Sequence, residues 1–106
     1  LYVMTSATAT PRALTQFNAW AETVAFGRTE RVTWRSDNFE ADGVLTYPPD
    51  FDAGRKYPLV LNIHGGPTAS AKRGVSALSQ LVGADGAMGF EPNYRGGDNL
   101  GNACEP

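Results

Sequence analysis

Lys56-Tyr57-Pro58-Leu59-Val60-Leu61-Asn62-Ile63-His64-Gly65-Gly66-Pro67 is the stretch that decides the fold. Leu59 to Ile63 is an apolar run interrupted only by Asn62 and rich in branched side chains. That is the pattern of a strand buried on both faces of a parallel sheet. It ends in two glycines, which tolerate positive φ and let another group come close to the backbone. Pro67 fixes the exit direction and has no N–H to donate. The run predicts a central strand that delivers a glycine loop to the carboxyl edge of a sheet, where α/β folds place ligands.

Downstream, a polar connection leads from Thr68 to Gly74. Leu78, Leu81 and Val82 then recur at helical spacing and predict a helix over Val75–Val82, with Gly83 as its stop. Ala87-Met88-Gly89-Phe90 reads as the next parallel strand. It is weakened by an internal glycine and the lack of β-branched residues, and Glu91-Pro92-Asn93 ends it. Tyr94 to Asn99 is a glycine-rich loop. Strand, loop, helix and strand in this order make one βαβ unit with a right-handed crossover.

Upstream, Glu30 to Ser36 alternates polar and apolar residues and places Val32 and Trp34 on one face, as a half-buried strand does. Ser36-Asp37-Asn38 punctuates it, Asp42-Gly43 reads as a turn, and Val44–Tyr47 forms a second strand. The two make an antiparallel ribbon leading into the central strand. Nearer the start, Leu1–Met4 and Pro11–Thr15 are short strand candidates around a Thr/Ser/Ala-rich loop. Asn18 is a candidate N-cap for a brief helix over Ala19–Glu22, with Phe17 and Trp20 packing locally.

Composition narrows the function. The 106 residues are 42% hydrophobic and 19% charged, which is globular rather than disordered. The net charge of −2, with no basic run, gives nucleic-acid binding no electrostatic support. No apolar run reaches bilayer length, so no membrane partner is expected. Cys104 is the single cysteine, which rules out an internal disulfide and reads as an inert thiol. His64 is the single histidine. No metal site and no cofactor are expected. The start at Leu1 and the stop at Pro106 read as those of a piece of a longer protein.

With these residues in view, the chain resembles the prolyl oligopeptidase family of serine peptidases, nearest its acylaminoacyl-peptidase branch. The pieces that carry the resemblance are Glu30–Ser36, the Gly43–Pro49 strand, Tyr57-Pro58-Leu59 running into His64-Gly65-Gly66-Pro67, and Glu91-Pro92-Asn93-Tyr94-Arg95-Gly96. The resemblance covers about residues 30–102 and implies the N-terminal part of an α/β-hydrolase domain: α/β, a mostly parallel sheet, one βαβ unit. Residues 1–25 resemble the tail of the preceding β-propeller or a linker, and 26–106 the start of the peptidase domain. It further implies hydrolysis of peptide bonds in short peptides through an acyl-enzyme, with a peptide substrate in the full-length parent. Gly65 and Gly66, with Gly66 preferred, match the loop whose backbone N–H helps form the oxyanion hole. His64, Asn93, Tyr94 and Arg95 match supporting loop positions.

The sequence departs from the family pattern in the triad, and its Ala87–Phe90 strand is less apolar than such strands usually are. No Gly-x-Ser-x-Gly occurs, and Gly74-Val75-Ser76-Ala77-Leu78, which comes nearest, lies ahead of where a nucleophile elbow belongs. The triad acid and histidine would lie further downstream still, so the 106 residues are expected to supply no nucleophile, acid or base and to be inactive alone. Two other readings use the same residues: a non-catalytic binding module on a truncated hydrolase scaffold, and an esterase-type α/β-hydrolase.

Overall fold

A computed structural model describes residues 1–66, 69–95 and 97. Pro67, Thr68, Gly96 and residues 98–106, Cys104 among them, lie outside the described residues. The architecture is mixed α/β. Strands β1 (Tyr2–Val3) and β2 (Arg12–Ala13) pair antiparallel as a separate small ribbon. Strands β3 (Thr29–Ser36), β4 (Phe39–Thr46), β5 (Leu59–Leu61) and β6 (Met88–Asn93) form one sheet in the order β3-β4-β6-β5, and helix α1 (Ala77–Ala84) packs against β6 and β4.

The β3–β4 hairpin is the ribbon expected from the alternation, with Val32 and Trp34 the more buried positions of β3. Asp37, at φ 54, makes its reversal, a conformation aspartate tolerates better than most residues. Asp42 and Gly43 do not form a turn, because β4 begins at Phe39 and runs through both. Two packing facts hold them in the strand. The Asp42 carboxylate is buried against partners on β3 and β6. A Cβ at Gly43 would lie 2.7 Å from the Phe90 ring, so the glycine makes room for that ring, which meets Trp34 edge-on at 5.8 Å.

The position of β5 corrects the expectation of a central strand. β6 inserts between β4 and β5, antiparallel to the first and parallel to the second. The sheet is thus mixed rather than mostly parallel among the described strands, and β5 lies at its edge. Gly89 and Phe90 pair with both neighbours, and β6 continues along β4 through Glu91-Pro92-Asn93 instead of ending there. β5 is also shorter than the apolar run, and Leu59, Leu61 and Ile63 are 58%, 54% and 61% exposed. Their burial requires more neighbouring strands and helices than the described residues supply. A bare edge of this kind is a template for pairing with another chain.

Helix α1 starts two residues later than its periodicity predicts. Ser76 is the N-cap, its Oγ accepting from the Ser79 N–H at 3.4 Å. Gly83 does not stop the helix. It sits inside it, where an added Cβ would be 3.4 Å from the Tyr47 carbonyl and 3.5 Å from Pro48 Cα. Gly86, at φ +81, does the stopping. The Gly86 N–H donates to Gly83 O and the Ala87 N–H to Val82 O, which is a Schellman closure. The core among the described residues is small: Ala41, Val44 and Ala87, with Thr46 and Pro48 fully enclosed.

Near the start, residues Ala19–Thr23 form a 3₁₀ helix in which Asn18 makes no side-chain cap bond. Phe17 and Trp20 are 79% and 61% exposed and form no core. The two-residue strands of the β1–β2 ribbon present no apolar face broad enough to cover them.

Candidate active-site loop

β5 and β6 run parallel, so both chains leave the sheet at the same edge. One exit carries His64-Gly65-Gly66, the other Asn93-Tyr94-Arg95. Two segments about thirty positions apart in the sequence are brought together this way, and side chains lock them.

Tyr94 reaches back to the His64 segment. Its hydroxyl donates to the His64 carbonyl at 2.5 Å and lies 3.5 Å from His64 Nδ1. The two rings stack, with centroids 4.7 Å apart and planes at 21°. His64 Nδ1 lies 2.9 Å from the Gly65 carbonyl, which can only accept, so Nδ1 is the donor in this contact. Nε2 of His64 is buried without a hydrogen-bond partner among the described residues. Gly65 and Gly66 are exposed. Among the described residues, a Cβ at Gly65 would meet nothing within 4 Å, and one at Gly66 only the Tyr94 hydroxyl at 3.8 Å.

Asn93 holds the segment that follows. It is 3% exposed. Its Oδ1 accepts from the Ala71 N–H at 2.7 Å, and its Nδ2 donates to the Ala71 carbonyl at 3.1 Å and to Asp42 Oδ1 at 2.7 Å. Asp42 also accepts from Arg31 Nε. The chain from Arg31 to Ala71 thus anchors the β5–α1 connection to the middle of the sheet. Asn93→Ala leaves a buried carboxylate oxygen and two backbone groups without these bonds, at about 1–3 kcal/mol for such a group. We expect it to destabilise the fold by about 2–3 kcal/mol. Asn93→Asp should cost more, since it sets a second carboxylate against Asp42. Urea unfolding checks both, and an Asn93→Ala variant as stable as the parent would show that water replaces the network.

Arg95 faces elsewhere. Its guanidinium lies over the Phe39 ring at 4.4 Å and 3.9 Å from Asp37 Oδ2, on the β3–β4 hairpin. Ser76, the serine nearest to a nucleophile motif, is occupied as the helix cap and donates to Glu91 Oε1 at 3.3 Å. Glu91 accepts from Asn62 Nδ2 as well, at 2.8 Å. This Asn62–Glu91–Ser76 cluster ties β5, β6 and α1 together, and sequence reasoning missed it because no local pattern links the three positions.

Titration is perturbed at a different place. Glu30 on β3 is held below the ordinary carboxylate range, first by the hydrogen bond from Tyr47 and then by that from Arg28. The same bond to Glu30 pushes the Tyr47 hydroxyl up. With Arg28 stacked 3.6 Å over the Tyr47 ring, this is a surface ion-pair network rather than an acid–base site. An open hollow bounded by Phe26, Arg28, Arg73 and Gln80 likewise involves none of the loop residues. Among the described residues, no group of three or more His, Cys, Asp or Glu could hold a metal ion, and no helix is long and apolar enough to cross a membrane.

No family model matches the chain. Over 61 residues it is 36% identical to the probable dipeptidyl-peptidase 5 of Aspergillus niger, a match covering 56% of this chain and 8% of that protein. Its fold matches the acylaminoacyl peptidase of Pyrococcus horikoshii with a TM-score of 0.78 at 23% identity, over 90% of this chain and 16% of the other. Dipeptidyl peptidase 4 of Porphyromonas gingivalis matches with a TM-score of 0.70 at 20% identity, over 89% of this chain and 14% of the other. The chain therefore spans a small part of the proteins it matches. These relatives are peptidases of the prolyl oligopeptidase family, the family its motifs resemble.

Proposed function

We propose that this chain is part of a serine peptidase that hydrolyses peptide bonds of short peptides through an acyl-enzyme, and that it supplies the oxyanion loop. In this reading residues 26–106 begin an α/β-hydrolase domain and residues 1–25 end a β-propeller or form the linker after it. The observation that carries it is the meeting of the two motifs at one sheet edge, with Gly65 and Gly66 on an exposed loop. Acyl transfer builds negative charge on the carbonyl oxygen, and fixed backbone donors stabilise that charge. The nucleophilic serine, its histidine base and the acid belong to the full-length protein, because Ser76 is engaged as a cap and His64 binds its own loop.

The test compares the full-length protein with the 106 residues alone. The full-length protein should be labelled at a single serine by a fluorophosphonate and should cleave short peptide anilides as well as the matching esters. The chain alone should do neither. Stoichiometric labelling of Ser76, or a full-length protein that hydrolyses only esters, would overturn the proposal.

A further inference from the structure

We infer that Tyr94 and His64 are positioning residues that set the direction of the Gly65 and Gly66 N–H groups by holding the carbonyls on the other side of the same peptide planes. The inference rests on the oxyanion-loop reading and deepens it. A peptide unit is planar and trans, so its N–H points opposite its C=O. The His64 carbonyl is held by the Tyr94 hydroxyl at 2.5 Å, so the Gly65 N–H, in the same plane, points away from Tyr94. The Gly65 carbonyl is held by His64 Nδ1 at 2.9 Å, so the Gly66 N–H points away from the imidazole. The two anchoring rings are stacked on each other, so both restraints act from one side of the loop. Each N–H is thereby turned away from the ring that holds the carbonyl of its plane, and among the described residues an added Cβ at either glycine finds no backbone within 4 Å.

The arrangement compensates for the freedom of the loop. Two consecutive glycines have the widest φ/ψ range of any pair, and each unrestrained plane could flip its N–H away from the substrate. Two hydrogen bonds remove that freedom before substrate arrives, which is what electrostatic preorganisation requires. The Tyr94 ring also covers one face of the imidazole and so keeps Nδ1 aimed at Gly65 O.

Tyr94→Phe keeps the ring and removes only the hydroxyl. In the full-length protein kcat should fall about tenfold, the size expected for one lost hydrogen bond, with KM changed less than twofold. The Gly65 and Gly66 amide resonances should shift and exchange faster with solvent, while amides of β3 and β4 keep theirs. His64→Phe should give the same signature, and the double variant should lose less than the product of the two, since both act on one loop. Unchanged kcat and unchanged glycine amides in Tyr94→Phe would overturn the inference. The oxyanion reading is checked separately with Gly65→Pro and Gly66→Pro: if both variants keep their turnover, the reading itself fails, whereas a crippled proline variant beside a normal Tyr94→Phe rejects only the lock.

Discussion

Alanine at position 27 should destabilise this fold by about 4 kcal/mol, among the larger effects a single methyl can have. Gly27 is buried where the chain enters β3, and an ideal Cβ there would stand 1.8 Å from the Tyr47 carbonyl oxygen. That neighbour is backbone, so it cannot swing aside as the end of a flexible side chain would. Nor can Gly27 retreat. Its N–H donates to Gln80 Oε1 at 2.8 Å and its carbonyl accepts from Gln80 Nε2 at 3.1 Å, so one glutamine of α1 grips both polar groups of the residue. The next residue is bound too, through Tyr47 N–H to Arg28 O at 3.0 Å. Making room for the methyl means parting the end of β3 from β4 or from α1. Gly74→Ala is the control, because no atom of the described residues lies within 4 Å of its added Cβ, and it should be neutral or slightly stabilising. Amide exchange across β4 and β6 reads the effect, with about a thousandfold acceleration expected in Gly27→Ala. Unchanged exchange in that variant would mean that β3 and α1 can separate at little cost, and that the Gln80 clamp contributes nothing.

How much of this was legible in the sequence follows the range of each interaction. The β3–β4 ribbon, the helix and the parallel pairing of β5 with β6 are written in local periodicity, and they were read correctly in kind. The misreadings share one cause. Gly43 and Gly83 look like breakers because glycine usually punctuates, but here each makes room for a neighbour distant in sequence, Phe90 for the first and the Tyr47–Pro48 backbone for the second. Asp42 looks like a turn residue until Asn93 and Arg31 arrive from other strands. The apolar run 59–63 reads as central because its burial code is that of a central strand, yet the elements that would cover it are not among the described residues. At the loop, the residue types at 64–66 and 93–95 were visible as motifs. That Tyr94 binds the His64 backbone, that Asn93 grips Ala71 and that Arg95 turns to the hairpin depended on the strand order, which no window of sequence contains.

The loop motif makes its own demand, and Gly66→Pro tests it most severely. In the full-length protein this variant should lose about 100- to 1000-fold in turnover, the effect of removing one oxyanion donor and about 3–4 kcal/mol of transition-state stabilisation. Proline deletes the N–H and fixes φ, so the two effects must be separated. Gly66→Ala separates them. Gly66 does not adopt positive φ, and the one atom of the described residues near an added Cβ is the Tyr94 hydroxyl at 3.8 Å, an ordinary contact. Alanine therefore keeps the N–H at no steric cost to the loop, and its turnover should stay within a few-fold of the parent unless the methyl meets substrate. Gly65→Pro is the second comparison. Gly65 offers the neighbouring N–H, and its plane is held by the stronger-placed anchor, the Tyr94 hydroxyl. If Gly66 is the donor, Gly66→Pro loses kcat with the fold intact, and Gly66→Ala does not. If Gly65→Pro shows the larger kcat loss and Gly66→Pro the smaller, the donor is Gly65 and the assignment moves by one residue. If neither proline variant slows turnover while both fold normally, the glycine pair is a turn between β5 and α1, and the oxyanion donor lies elsewhere in the protein.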